Sequence, residues 1–440
     1  MGERPILPQL LSMAAPVMLS MLIQALYNVV DGIWVTKLGN DALTAVSLAF
    51  PLQNLVMAAG VGMGIGVGSL VSRCLGAGDR DKADRAASTG IALVLLHCVV
   101  FLLIGLFVTR PFLALFTDDS HILGLSCDYT YIVMCLSFGN LIQMCYEKIV
   151  QGVGRMTTTM LLMASGCIIN LVLDPILIFG WLGAPAMGVK GAAWATIIGQ
   201  VTAMILYVVL FAVRDYGVSV RPRFVRFDRE LIQQLYSVGL SSSLMLATPS
   251  ILTGILNGIL ESLGSIYVAV FGLYFKLQTF INMPSSGLVM GMRPLVGYNY
   301  GAGLHARARE AIRWSFLIIV SIMAAGTIAA VGFPAQLLQL FQADEALVAA
   351  GVPALRLIGL GFPFSAMGFV SCGTFEALGR GKDSLIISML RQLVILVPLG
   401  FVLSRFWGAV GVWAAFPIAE GIACLVAVLK LRDAIKAQLS

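Results

Sequence analysis

The sequence predicts an all-α membrane protein of twelve transmembrane helices in two parallel-repeat six-helix bundles, and three observations carry that prediction. The first is composition. Of 440 residues, 59% are hydrophobic and 11% charged, with a mean hydropathy of +0.93, against roughly 25% charged residues in soluble domains. The second is run length. Stretches free of Asp, Glu, Lys and Arg extend from Ala42 to Ser72, Ala86 to Thr109, Leu231 to Leu260 and Trp314 to Ala343, each longer than the ~20 residues that cross about 30 Å of hydrocarbon. Such runs are helices, since barrel strands alternate over segments of about ten residues. The third is a repeat at an offset of 225 residues, which brings Leu38-Gly39 onto Leu263-Gly264, Gln53 onto Gln278, Gly62 and Gly66 onto Gly287 and Gly291, and Gly154-Arg155 onto Gly379-Arg380.

The expected spans are 12-35, 46-71, 88-108, 129-150, 158-180, 188-212, 233-260, 266-291, 311-333, 352-375, 384-404 and 408-429. Span 1 follows only Arg4 as a basic residue, is too long for a signal segment and holds Asp31, so it reads as retained. Span 2 contains Gly60, Gly62, Gly64, Gly66 and Gly68. These give small-xxx-small spacings in two frames, a helix-packing pattern, whereas a nucleotide loop needs a preceding strand. Glu147, near the cytoplasmic end of span 4 beside Lys148, reads as interfacial, and span 5 carries Asn170, Asp174 and Pro175. After span 6 comes Arg214 to Glu230, the longest polar stretch, read as the connection between an N-terminal half, 1-216, and a C-terminal half, 217-440. Six spans per half is an even number, so both halves enter the membrane in the same direction. In the second half Arg293 and Arg356 lie near span ends and are expected to snorkel, Glu376 reads as interfacial, and Arg391 and Glu420 reach similar depths and are expected to pair.

Lysine and arginine set the orientation. Even-numbered loops and both termini carry most of them, including Arg73, Arg80, Lys82, Arg85, the arginines from 214 to 229, and Lys430, Arg432 and Lys436; the other side has Lys37, Arg110, Lys190 and Arg405. The positive-inside rule therefore places both termini in the cytoplasm, with the chain in a cell (inner) membrane. The net charge of +6 needs no nucleic-acid partner. The eight cysteines fall mostly within spans without C-x-x-C pairing and read as small packing residues. No G-x-x-x-x-G-K-[ST], H-E-x-x-H or G-x-S-x-G is present, so the chain reads neither as an ATP-driven pump nor as an enzyme, and no cofactor is expected.

The candidate site begins at Asp31, a carboxylate in an apolar span with Tyr27 four residues upstream. An acid at bilayer centre costs roughly 2.5–3.5 kcal/mol and faces a protein interior or a wet cavity. Asp174, with Asn170 four residues upstream, repeats the arrangement. At 1.5 Å per residue Asp31 lies about 28 Å up span 1 and Asp174 about 24 Å up span 5, with Thr196 about 12 Å down span 6 at a similar level. The two acids, Asn170 and Thr196 offer oxygens for Na+ or a carboxyl pair that shares a proton. Candidate substrate-cavity residues are Gln24, Asn28, Gln53, its repeat mate Gln278, and Lys276.

These residues bring a family into view. Tyr27-Asn28-x-x-Asp31 followed by Leu38-Gly39, Ser72-Arg73-x-x-Gly76-Ala77-Gly78, Asn170-x-x-x-Asp174-Pro175, Gly188-x-x-Gly191, and Pro294-Leu-Val-Gly-Tyr298-Asn299-Tyr300-Gly301-Ala302 together resemble the multidrug and toxic compound extrusion (MATE) family over essentially the whole chain. The resemblance implies a V-shaped, two-lobe antiporter with a central cavity. It would export lipophilic, usually cationic drugs in exchange for protons or sodium, work as a monomer in the lipid bilayer, and hold its ion at the positions of Tyr27, Asp31, Asn170, Asp174 and Thr196. NorM-type members carry acids in spans 7 and 10. Here Phe364-Ser365-Ala366 occupies that part of span 10, and Glu261 at its outer end is the acid of span 7. The chain is therefore closer to the DinF-type branch, near its MepA-like bacterial members, with H+ favoured over Na+. A lipid-linked oligosaccharide flippase of the same superfamily shape is the alternative function.

Overall fold

The computed structural model describes residues 1–439. Its helices are α1 (Ile6–Thr36), α2 (Asn40–Gly76), α3 (Arg80–Phe107), α4 (Thr109–Leu113), α5 (Ser120–Cys135), α6 (Phe138–Gly152), α7 (Met156–Phe179), α8 (Val189–Val213), α9 (Arg229–Glu261), α10 (Ser265–Gly301), α11 (His305–Gly332), α12 (Pro334–Gln339), α13 (Glu345–Gly359), α14 (Phe362–Ala377), α15 (Gly381–Met389), α16 (Leu396–Trp407) and α17 (Ala409–Gln438). Among the described residues ten helices are long and apolar enough to cross a membrane, and twelve crossings result when the bent pairs α5–α6 and α13–α14 each count as one. The expected spans 4 and 10 are those pairs, bent by 45° and 51°. The breaks fall at Leu136-Ser137 and Leu360-Gly361, within one residue of the repeat register, and the short α4 and α12 start at an offset of 225. Span 11 is interrupted too, by a π-helical turn at Leu390–Val394.

Two compact units divide the chain, and they are not the two sequence halves. One is Leu19–Ser243; the other joins Met1–Met18 to the chain from Leu244 onward. The glycines of α2 supply the reason within the first unit. Gly60, Gly64 and Gly68 face α6, where an added methyl would meet Leu141, Met144 and Lys148, while Gly62 and Gly66 face α9, against Ser243, Gly239 and Leu235. The two glycine frames thus seat two different helices, which holds the first half of α9 in the N-terminal unit. In the second unit Gly287 and Gly291 of α10 do the same for α1, against Met18, Met13 and Ala14. These contacts are repeat copies, since Ala14 and Met18 stand at the offset positions of Gly239 and Ser243.

The connection after α8 is an ordered strap on α3. Arg80 Nη2 lies 2.8 Å from both oxygens of Asp215, Asp84 Oδ1 accepts from Ser219 N at 2.6 Å, Ser88 Oγ accepts from Arg221 N at 3.1 Å, and Thr89 Oγ1 accepts from Arg226 N at 3.0 Å. Outside the spans, the Arg80 guanidinium and a backbone N–H from Gly217 hold the Asp215 carboxyl below the usual carboxylate range. Apolar packing of the first unit falls into layers. One contains Val35, Ala42, Val46, Tyr129, Val133, Ile178, Val189 and Ala192; another runs through α2, α3, α6 and the start of α9.

Candidate functional site

Three helices of the first unit supply the site. α1 carries Tyr27 and Asp31, α7 carries Asn170 and Asp174, and α8 carries Thr196; the i, i+4 spacing puts each polar pair on one helix face. Asp31 and Asp174 come within hydrogen-bonding reach of each other. Asn170 Nδ2 donates to Thr196 Oγ1 at 3.3 Å, Thr196 Oγ1 donates to the Ala192 carbonyl at 3.0 Å, and the Tyr27 phenol is in reach of Thr196. Asp174 and Asn170 are 0% and 2% exposed. Both Asp174 oxygens, Asp31 Oδ1 and Asn170 Oδ1 are buried acceptors without a donor.

That last feature decides what the site can do. Two bare carboxylates about 4 Å apart repel by about 4 kcal/mol at an effective dielectric of 20, before desolvation is counted. A proton between them supplies the missing hydrogen bond, and a small hard cation would be coordinated by the same oxygens. Among the described residues no group of three or more His, Cys, Asp or Glu side chains could hold a metal. One helical turn beyond each acid, Val35 and Ile178 belong to a single apolar layer with Tyr129 and Val189, and Trp34 packs edge to face on Phe179 and Trp181 behind it. That side of the acid pair is dry.

The opposite side is wet in character. A cavity of about 100 Å³ is lined by Gln24 and Tyr27 of α1, Asn140, Gln143, Met144 and Glu147 of α6, Met163, Gly166, Cys167 and Asn170 of α7, and Thr196, Gly199 and Gln200 of α8. The bend between α5 and α6 helps to build it. Gly139 brings α6 against Val201 of α8, and Asn140, Gln143 and Glu147 then line up at i, i+3 and i+7 along the cavity wall.

Of the other candidate residues, Gln53 Nε2 donates to the Tyr129 phenol at 3.1 Å, which joins it to the acid pair's surroundings, because Tyr129 is close enough to feel both aspartates. Gln24 lines the cavity. Asn28 is exposed and is not among the cavity's lining residues. Lys276 and Gln278 lie on α10 in the other unit. Sequence reasoning missed Tyr129, which nothing in its own span distinguishes. It also missed the α6 stripe, which the helical spacing of Asn140, Gln143 and Glu147 contains. The interfacial reading of Glu147 and Glu376 is corrected. Glu147 Oε1 accepts from Lys148 Nζ at 2.9 Å and from Gln151 Nε2 at 2.8 Å, with side-chain exposures of 14% for Glu147 and 7% for Lys148. Glu376 is 1% exposed and pairs with Arg293 at 2.6 Å, so Arg293 does not snorkel. Arg391, from the π-helical turn, pairs with Glu420 at 2.8 Å.

The MatE family matches residues 16–176 and again 242–402, more than half of the chain. The chain belongs to the MatE family. The two matches start 226 residues apart (16 and 242), one residue from the repeat offset, so the family pattern is written twice. It is a multi-pass membrane transporter and not an enzyme. Similar proteins include Multidrug export protein MepA of Staphylococcus saprophyticus, 28% identical over 417 residues, covering 94% of this chain and 91% of that one. MepA of Staphylococcus aureus is 26% identical over 432 residues, covering 97% and 94%. A solved structure described as the outward-facing conformation of a multidrug resistance MATE family transporter of the MOP superfamily matches with a TM-score of 0.90 at 28% identity, over 98% of this chain and 96% of that one.

Proposed function

We propose that this MatE family member exports lipophilic cationic drugs from the cytoplasm and drives that export by taking up protons at Asp31 and Asp174. Multidrug export rests on the names of the relatives. Proton coupling rests on one observation, a buried acid pair whose facing oxygens have no donor. A shared proton completes that pair with no further ligands. Sodium would need a fuller shell from Asn170, Thr196 and the Leu171 carbonyl, which Pro175 leaves without its helical N–H.

In this reading protonation from the outer face neutralises the pair, and release toward the cytoplasm restores its charge. The two charge states bind a cationic drug differently, which is the condition for an ion gradient to move it. Both termini are cytoplasmic and the host is the cell membrane, as the lysine and arginine distribution favours. The test is efflux of a fluorescent cation from proteoliposomes, first under a pH gradient without sodium, then under a sodium gradient at equal pH. Transport in the first arrangement is expected. Transport only in the second rejects proton coupling, and full transport by an Asp31→Asn/Asp174→Asn double variant rejects the site.

A further inference from the structure

The cavity beside the acid pair contains one carboxylate the coupling scheme has not used. Glu147 lies at its far end from the aspartates by the register of the helices that line it. On α7 the lining residues run from Asn170, one turn from Asp174, to Met163, an axial distance of about 10 Å. On α6 the stripe ends at Glu147, five residues before the helix ends at Gly152, about 8 Å from the boundary on the side of the chain termini. Between the two acid levels the wall carries the amides and hydroxyls of Gln24, Tyr27, Asn140, Gln143, Thr196 and Gln200, interleaved with Met144, Met163 and Cys167. The other side of the aspartates is closed by the apolar layer of Val35 and Ile178. A cation leaving the pair within this unit therefore has a polar route in one direction only.

We infer that Glu147 is a second acid of the coupling pathway, which receives the coupling proton from Asp31 and Asp174 through water in this cavity and passes it to the cytoplasmic side. The inference rests on the N-terminal coupling reading above. Glu147 Oε1 is taken by Lys148 and Gln151, which leaves Oε2 to the cavity. The Asp carboxyl O–H breaks, the proton moves along hydrogen-bonded water, and an O–H forms on Glu147 Oε2, with no change of oxidation state. Lys148 completes the cluster, its ammonium donating to Glu147 Oε1 at 2.9 Å and to Gln151 Oε1 at 3.1 Å. The groups that face Glu147 are Tyr27 from α1, Lys148 on α6 itself, Cys167 from α7 and Tyr207 from α8. Lys148 is the cation among them.

The competing account is a structural ion pair that fills the α2–α6 contact, where Lys148 lies against Gly64 and Gly68. Four variants in proteoliposomes separate the two: Asp31→Asn, Glu147→Gln, Glu147→Asp, and Glu147→Gln with Lys148→Gln. The readouts are ethidium efflux under an imposed pH gradient and ethidium affinity at fixed pH. Glu147→Gln is expected to slow efflux about 100-fold, Glu147→Asp to recover most of that loss, and the double variant to remain slow, all with affinity within about twofold of wild type. A structural pair predicts the reverse for the double variant, which removes both charges together and returns transport. The double variant also carries the test if Glu147→Gln leaves Lys148 unpaired and fails to fold. If Asp31→Asn transports at the wild-type rate, the coupling reading fails and takes this inference with it. If Asp31→Asn is dead while Glu147→Gln or the double variant transports normally, only this inference fails. Affinity falling in step with efflux would assign Glu147 to the drug and overturn the relay.

Discussion

Buried carboxylates in this chain differ in what faces them, and that difference sets what each substitution does. Glu376 faces Arg293 at 2.6 Å and Glu420 faces Arg391 at 2.8 Å, whereas Asp174 faces only another carboxyl. Glu376→Gln removes the charge that compensates a largely buried guanidinium and should destabilise the protein by about 3–5 kcal/mol, while Arg293→Met with Glu376→Met should regain most of that loss. Thermal unfolding in detergent measures both, and a double variant as unstable as the single one would show that the pair is not what fixes α10 to α14. Asp174→Asn runs the other way. Its amide donates to Asp31 where two acceptors now meet, so stability should hold or rise by about 1 kcal/mol while coupled efflux is lost. A marked drop in unfolding temperature would show that the pair already has a donor. The acids themselves were legible because charge is rare in apolar spans. Tyr129 was not, since its nearness to them depends on where α5 packs.

Elements show a sharper limit on what sequence carries. The glycines of α2 read correctly as packing, and their two frames are visible in the sequence, but which helix each frame seats is decided by the fold. The same holds for the bend at Leu136-Ser137, where no proline marks the break, whereas Pro363 in the first turn of α14 follows the bend at Leu360-Gly361. Spans 4 and 10 therefore read as single helices, and Glu147 reads as interfacial. Substitution at the glycines should separate backbone from side-chain contacts. A methyl at Gly66 would run into the Leu235 carbonyl and the Gly239 backbone, while at Gly287 it would meet chiefly Met18 Cγ. Gly66→Ala should then cost more stability than Gly287→Ala, by about 1–3 kcal/mol, because a methionine chain can give way and a helix backbone cannot. Equal unfolding temperatures would contradict that ranking. The strap after α8 offers a test of another kind. Asp84→Ala removes the acceptor for Ser219 N, so tryptic cleavage after Arg223 and Arg226 should accelerate about tenfold as the segment opens more often; an unchanged rate would mean that Arg80, Ser88 and Thr89 hold it without Asp84.

At the scale of the whole molecule the repeat was the most legible feature, because glycines and loop arginines at a fixed offset survive where apolar residues exchange freely. The exchange of leading segments was hidden. Residues 1–18 and 217–243 group away from the halves in which the sequence places them, since a segment's partner is a long-range property that spacing within one helix does not encode. Orientation lies between these cases: the uneven lysines and arginines predict it, yet nothing in the fold distinguishes one membrane face from the other. Cysteine labelling decides it. In a background with the eight native cysteines replaced, Asp81→Cys and Arg223→Cys probe one face and Leu182→Cys, 92% exposed as leucine, probes the other. If basic loops stay inside, a membrane-impermeant maleimide should label intact cells only at Leu182→Cys and should reach the other two positions after permeabilisation. The reverse pattern would turn the whole assembly over, and the dry layer beyond Asp31 and Asp174 would then face the cytoplasm. Proton entry and exit would exchange sides, and import rather than export would follow from the same site.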